Sequence, residues 1–227
     1  MVRKSLKNLF LEEGHIIVRN AKKRGEIVII GITGSIASGK TYVEKLIKAK
    51  GYKVINADYI AHQALYRNTV TYEKTVSKFG KAILNKNQSI NRRKLGQIIF
   101  QDHHQKRALE SIIHPFVIDK IKQKIEQKPK REILFISVPL LYETNMEKMF
   151  DRIIVVYTSK EKQIERLMKR DKIDREKALL KIANQMPLEV KKNKADILIE
   201  NETDGESQLI KRIEEILQKI KENSNEN

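Results

Sequence analysis

The chain contains no cysteine and no tryptophan, and only four of its 227 residues are proline. Without thiols neither disulfides nor thiolate metal sites can form, and a reducing cytoplasm is the expected setting. Aromatic residues make up 6% of the chain, a poor supply for the stacking platforms that bind single-stranded nucleic acid. No apolar stretch approaches the length needed to cross a bilayer, and the first residues, MVRKSLKNLFLEEGHIIVRNAKKRG, lack a signal-peptide core and mix acids with bases. A protein that is neither exported nor held in a membrane is expected. The five histidines, His15, His62, His103, His104 and His114, show no H-E-x-x-H spacing, and the adjacent pair His103-His104 points in different directions from a helix. Zinc chemistry is not expected.

Charge is plentiful and one-sided. The net charge is +17, which favours an anionic partner without choosing among nucleic acid, acidic membrane and a phosphorylated small molecule. The bases are spread along the chain, as in KIKQKIEQKPKR (Lys120 to Arg131) and KKNK (Lys191 to Lys194), and the first run mixes them with apolar residues as solvated helix faces do. With 40% hydrophobic residues the chain can bury a sizeable core, and its length suits one domain with insertions, or one and a half domains, better than two independent ones. Neither repeats nor a low-complexity linker is present. The polar tail KENSNEN, residues 221–227, is expected to fray.

One stretch carries chemistry by itself. GITGSIASGKT, Gly31 to Thr41, follows the apolar run Ile27-Val28-Ile29-Ile30 and matches G-x-x-x-x-G-K-[ST] at Gly34, Gly39, Lys40 and Thr41. Glycines let backbone N–H groups turn toward an anion, and a helix beginning near Lys40 aims its positive end at the same place. Lys40 then reaches the terminal phosphates of a nucleotide, and the Thr41 hydroxyl holds Mg²⁺. Gly34, Ala37, Ser38, Gly39, Lys40, Thr41 and Tyr42 are the expected ATP-binding residues.

β-rich runs are predicted at Glu26 to Thr33, Tyr52 to Asp58, Glu132 to Leu141 and Asp151 to Tyr157, with a shorter one at Ala195 to Asn201. Helical patterns fall between them, at Lys40 to Lys50, several times from Tyr59 to Lys128, at Lys160 to Lys169, at Asp174 to Gln185 and at Glu206 to Lys221. Such alternation reads as a doubly wound α/β fold on a parallel sheet. About seventy residues separate Asp58 from the third strand, where a crossover needs a dozen or more. That insertion is expected to build the second substrate's site.

Further landmarks join the phosphate loop. Asn56-Ala57-Asp58-Tyr59-Ile60-Ala61-His62 follows the second strand, Asn91-Arg92-Arg93-Lys94-Leu95-Gly96 and Ile113-His114-Pro115 lie in the insertion, and Val138-Pro139-Leu140-Leu141-Tyr142-Glu143 ends the third strand. Gln163, Arg166, Leu167, Arg170 and Asp171 come after the fourth, and Gln185-Met186-Pro187-Leu188 precedes Ala195-Asp196. In order and spacing these resemble the dephospho-coenzyme A kinase family, from about Ile27 to the last helix. The resemblance implies a P-loop nucleoside-triphosphate-hydrolase-like fold, a parallel five-stranded sheet with a helical, coenzyme-binding insertion and a mobile lid. It implies transfer of a phosphoryl group from ATP, with Mg²⁺, to the ribose 3′-hydroxyl of dephospho-coenzyme A, the last step of coenzyme A synthesis. It divides the chain into an N-terminal extension (1–25), a kinase domain (26–220) and the tail. Within that domain the core is 26–58 and 132–220, the insertion about 59–131 and the lid about 160–190.

The family's loop usually has glycine where Ser35 and Ala37 stand, both free positions of the phosphate-loop pattern. Asn56 replaces a frequent aspartate, leaving Asp58 as the carboxylate expected at that strand end. Asn91 replaces an acid before Arg92. The segment Met1 to Gly25 has no counterpart, and reads as an extra amphipathic element or as a start codon placed too early.

Phosphoryl transfer asks for positioning and charge compensation. Asp58 is the candidate base for the acceptor hydroxyl, at a strand end where open α/β sheets bind ligands; its alternative role is an N-cap for a helix beginning at Tyr59. Arg166 and Arg170 stand four apart, so a helix presents both on one face together with Gln163. They are either lid arginines that close on the transferring phosphate or part of a solvated face. Tyr142 and Glu143 are expected to border the acceptor, and Pro139 to shape the strand end. Arg92 and His114 are given no chemistry.

Three rivals remain. Asn193-Lys194-Ala195-Asp196 matches the guanine-recognition pattern N-K-x-D of GTPases, but leads into a strand instead of following one. A nucleic-acid-binding ATPase suits the charge, but the third strand runs into Pro139-Leu140-Leu141 without the acid that such enzymes place there. A kinase of a nucleoside or another small alcohol shares the architecture, and the insertion argues against it. Small phosphorylated partners, ATP and dephospho-coenzyme A, are therefore expected, with no specific nucleic acid and no membrane.

Overall fold

The computed structural model describes residues 28–127, 132–202 and 205–225. The extension 1–25 lies outside them, as do Glu26 and Ile27 of the expected first strand, Lys128 and the last two residues of the tail.

Five strands form one sheet: β1 (Val28–Gly34), β2 (Lys53–Asn56), β3 (Ile133–Ser137), β4 (Arg152–Tyr157) and β5 (Ile197–Glu200). Their order is β2-β3-β1-β4-β5 and every pairing is parallel. β4 is buried at all of its positions, as a central strand covered on both faces must be. One face, with Ile55, Leu134, Ile136, Ile153 and Val155, packs on Val117 and Ile121 of helix α5 (His103–Glu126). The other, with Ile30, Ile32, Phe135, Ile154 and Val156, packs on Val43 and Ile47 of α1 (Lys40–Ala49) and on Leu209, Ile213 and Ile216 of α9 (Glu206–Asn225). The doubly wound architecture read from the sequence is the one observed.

The long connection after β2 is helical: α2 (Ala57–Ala64), α3 (Val70–Phe79), α4 (Arg92–Gln101) and α5. It has a small core of its own, in which Ile83, Ile90, Leu95 and Leu109 are buried. After β4 come α6 (Lys160–Asp171), α7 (Arg175–Ala183) and α8 (Leu188–Asn193). Ile164, Leu167 and Ala178 of α6 and α7 form another small core, and Ile36 and Ala37 of the phosphate loop pack against it.

Three of the boundaries that differ from the sequence reading have a local physical cause. β2 stops at Asn56, because the Asn56 side chain accepts from the Tyr59 N–H at 3.1 Å and starts α2 at once. Asp58 therefore sits in the first turn of a helix, two residues beyond the strand, and Asn56 has taken the N-cap role considered for Asp58. β3 stops at Ser137: Val138 still donates to the Ile32 carbonyl at 2.9 Å, but Pro139 has no N–H to continue the ladder. The tail is the third. α9 continues to Asn225, since nothing between Lys221 and Asn225 breaks a helix and Leu217 and Ile220 anchor its preceding turn in the core.

Candidate active site

The phosphate loop joins the C-terminal end of β1 to α1. A Cβ on Gly34 would lie 2.6 Å from Ser38 Oγ and 2.8 Å from the Val156 carbonyl oxygen, so no larger residue fits there. Gly39 is the N-cap of α1, with φ at 93° in the left-handed region, and a Cβ there would stand 1.9 Å from Asn201 Nδ2. Ala37 also has positive φ, 61°, a conformation that costs an L-residue about 1–2 kcal/mol. Glycine at this position avoids that cost.

Each of the helices α2 to α7 begins with a side chain that accepts from its first turn: Asn56, Thr69, Asn91, Asp102, Ser159 and Asp174. α1 has no such cap. Its leading N–H groups keep their hydrogen-bonding capacity for an anion, and the helix dipole favours one at the same point. Ser38 Oγ is buried there without a partner among the described residues. This cradle fits a polyphosphate. Thr41 stands exposed in the first turn of α1. Tyr42 lines a cavity at the mouth of the loop with Gly39, Arg166, Asn201, Glu206 and Leu209, and its hydroxyl donates to the Glu206 carboxylate.

Lys40 reaches under the loop. Its Nζ lies 2.7 Å from Glu44 Oε1 and 2.6 Å from Ser137 Oγ, at the end of β3. Ser137 Oγ in turn donates to Glu44 Oε1 at 2.6 Å, and Asn56 Nδ2 donates to Glu44 Oε2 at 3.0 Å. Burial by itself would raise the Glu44 carboxyl, but the Lys40 charge and the bonds from Lys40, Ser137 and Asn56 outweigh it and hold Glu44 below the ordinary carboxylate range. Asp58 shares this field. Its residue is open to solvent on one side, while the protein around its carboxyl desolvates it and raises it above the ordinary value. Lys40 and His62 oppose that rise and Glu44 adds to it. The second carboxylate near this strand end, absent from the local sequence around Asn56, is thus supplied by α1.

Arg166 projects from α6 to the cavity beside Gly39, and its Nη2 donates to the Asn201 carbonyl at 3.0 Å. Asn201 Nδ2 donates to the Ser38 carbonyl, so one residue just after β5 ties the loop to this arginine. Arg170 lies at the exposed end of α6, where its guanidinium bonds the neighbouring Asp171. Gln163 is buried and does not share a solvent face with the arginines: its Nε2 donates to the Ile36 carbonyl at 2.7 Å. Gln185 Oε1 accepts from the Ile36 N–H at 2.7 Å. The Ile36 residue of the loop is gripped on both sides.

Tyr142 is buried in the core with its hydroxyl on the Lys194 carbonyl at 2.9 Å. Glu143 Oε1 accepts from the Met186 N–H at 3.0 Å and from Lys191 Nζ at 2.8 Å. Lys191 is fully buried, and its amine also donates to the Pro139 carbonyl at 2.9 Å. Burial lowers its pKa and Glu143 only partly restores it. Both residues read as acceptor-side thus fasten the turn after β3 to α8. The N-K-x-D match ends in Asp196, whose carboxylate accepts from the Ile153 N–H at 2.9 Å. That bond lies at the N-terminal edge of the parallel sheet, opposite the phosphate loop, and removes the GTPase reading.

Glu44, Ser137, Asn201 and Gln185 have no place in the phosphate-loop motif. Glu44 alone left a local trace, an acid one helical turn after Lys40 on a face otherwise apolar at Val43 and Ile47.

A family model described as dephospho-CoA kinase matches residues 28–207. Dephospho-CoA kinase from Fusobacterium nucleatum is 42% identical over 194 residues, covering 86% of this chain and 99% of that protein. The one from Carboxydothermus hydrogenoformans is 41% identical over 195 residues, covering 85% and 94%. Among solved structures, dephospho-CoA kinase from Campylobacter jejuni superposes with a TM-score of 0.65 at 32% identity, covering 86% of this chain and 98% of that one. With the fold, the uncapped phosphate loop and these matches in agreement, the chain belongs to the dephospho-CoA kinase family.

Proposed function

We propose that this enzyme transfers the γ-phosphoryl group of ATP to the ribose 3′-hydroxyl of dephospho-coenzyme A, giving coenzyme A and ADP, with Asp58 as the base. The observation that carries the reading is the joint placement of the uncapped α1 N-terminus, Lys40 and Asp58 at the C-terminal ends of β1 and β2, the two strands that flank β3. The loop from Gly34 to Thr41 cradles the β- and γ-phosphates with backbone N–H groups, and Lys40 supplies charge to them. Asp58 accepts the proton of the 3′-hydroxyl as its oxygen bonds to the γ-phosphorus. The bond from that phosphorus to the β–γ bridging oxygen breaks, and ADP leaves with the electron pair. Arg166, beside the loop, meets the charge that spreads over the transferring group, and Arg170 approaches it as α6 and α7 close. Glu143 and Tyr142 keep the turn after β3 in place on the acceptor side.

Mg²⁺ suits the same site. The exposed Thr41 hydroxyl in the first turn of α1 would hold it beside the nucleotide's phosphate oxygens. When bound it neutralises phosphate charge. No described helix is long and apolar enough to cross a membrane, and the setting we propose is the cytoplasm. The test is ADP release from ATP and Mg²⁺ with dephospho-coenzyme A, nucleosides, nucleoside monophosphates or DNA offered separately. Release with dephospho-coenzyme A, and little with the others, is expected; preference for a nucleoside moves the chain to another small-alcohol kinase.

A further inference from the structure

Glu44 is only 4% exposed, on a helix face whose neighbours Val43 and Ile47 are core residues. A carboxylate there is costly unless it is paired and hydrogen-bonded, and an apolar residue of similar size stabilises such a position at least as well. Its presence there calls for a role beyond packing. Every bond it makes leads to the site: Oε1 to Lys40 Nζ and Ser137 Oγ, Oε2 to Asn56 Nδ2. Lys40 and Ser137 are bonded to each other as well, so lysine, serine and carboxylate close a triangle at the end of β3. A lysine amine has three N–H donors. Two are spent on this triangle, which leaves one directed by the other two.

We propose that Glu44 is a positioning residue for phosphoryl transfer, holding the Lys40 amine against the end of β3 so that its remaining donor meets the phosphates, with Asn56 as the neutral partner that a single charge requires. The role rests on the kinase reading above. β3, which ends at Ser137 and is followed by Val138-Pro139, brings no acid to this spot; α1 does. An aspartate at position 56 would set two carboxylates in hydrogen-bond contact beside Asp58, whereas the amide donates. Charge and amide can change places across that one bond, because glutamine at 44 donates to an aspartate at 56 as asparagine now donates to glutamate. Aspartate also caps α2 as well as asparagine does, so the exchange leaves the helix start intact.

The experiment compares Glu44→Gln, Asn56→Asp and the double variant Glu44→Gln/Asn56→Asp in the full chain, reading kcat, the ATP dissociation constant and the thermal midpoint. Glu44→Gln is expected to lower kcat about 10- to 100-fold, the scale of a misplaced catalytic group, while ATP binding, carried by the loop backbone, changes little. Asn56→Asp alone lowers both kcat and the midpoint at neutral pH through the added like charge. The double variant recovers most of the kcat lost in Glu44→Gln. Parental kcat in Glu44→Gln, or a loss that follows the unfolded fraction and is not recovered in the double variant, overturns the proposal. Should Glu44→Gln fail to fold, Ser137→Ala carries the same comparison without charging the core: kcat falls and ATP binding holds, or the proposal is wrong. All ratios are taken on the acceptor that the parent phosphorylates, so a parent inactive on dephospho-coenzyme A overturns the substrate reading and leaves the Glu44 comparison standing.

Discussion

Asn201 Nδ2 donates to the Ser38 carbonyl at 2.9 Å, joining residues 163 positions apart, and the same asparagine's carbonyl receives Arg166. The exit of the sheet's last strand is therefore part of the phosphate loop's construction. Asn201→Ala leaves the Ser38 carbonyl unpaired in a buried place, which costs about 1–3 kcal/mol, and it frees the loop. Urea denaturation and ATP titration are expected to show lower stability together with weaker ATP binding; a loss of stability alone would separate this asparagine from the nucleotide site.

Gly39→Ala acts on the same contact from the other side. The new methyl collides with Asn201 Nδ2, and alanine resists the positive φ of this N-cap. ATP binding measured by calorimetry should be lost before the fold is, because the strain falls on the loop and not on the sheet.

Asp58→Asn separates chemistry from folding with particular clarity, because Asn56 and not Asp58 caps α2. The thermal midpoint and ATP affinity should stay close to the parent, while turnover of dephospho-coenzyme A falls about 10²- to 10⁴-fold, the range for a lost general base. Near-parental turnover would make Asp58 structural. Lys40→Ala should abolish turnover in a folded protein.

The pH profile follows from the surroundings of Asp58. Its carboxyl is raised by desolvation and by Glu44, and lowered by Lys40 and His62, with a net rise. A base must be ionised to work, so the rate is full above the raised value and falls as pH drops through it. The acid limb should lie above the ordinary aspartate range. In Glu44→Gln the residual rate should keep an acid limb displaced to lower pH, since one raising charge has gone. An unmoved limb would mean that another group sets it.

The two arginines of α6 should differ. Arg166 already reaches the cavity beside Gly39, whereas Arg170 bonds Asp171 at the open end of α6. Arg166→Ala should lower turnover by roughly ten- to a hundred-fold, below the larger losses of arginine fingers, and Arg170→Ala by less. A more severe Arg170 variant would show that closure carries this residue inward.

The parts legible in the sequence are those whose partners lie close along the chain. Gly34 to Thr41 is a contiguous motif whose glycines and lysine answer to one another within a single turn, and the apolar runs of β1, β3 and β4 announce a sheet buried on both faces. Element ends were less legible. Whether Asn56 or Asp58 caps α2 depends on where the chain turns into the helix, which the Asn56 bond to the Tyr59 N–H fixes, and both residue types suit an N-cap equally. The tail carried no strong breaker, yet its polarity masked the pull of Leu217 and Ile220 on the helix before it. The supporting residues of the site were least legible, because Glu44 meets Ser137 across 93 positions and Ile36 meets Gln185 across 149. Such bonds exist only once the parallel crossovers have folded.

The grip on Ile36 bears on how the molecule breathes. Gln163 holds the carbonyl of this residue and Gln185, just after α7, its N–H, so any swing of α6 or of the segment after α7 away from the phosphate loop has to break one of these bonds. The Ile36 amide hydrogen is then a built-in reporter: its exchange with deuterated water reads the opening of the Gln185 bond, with no label attached to the enzyme.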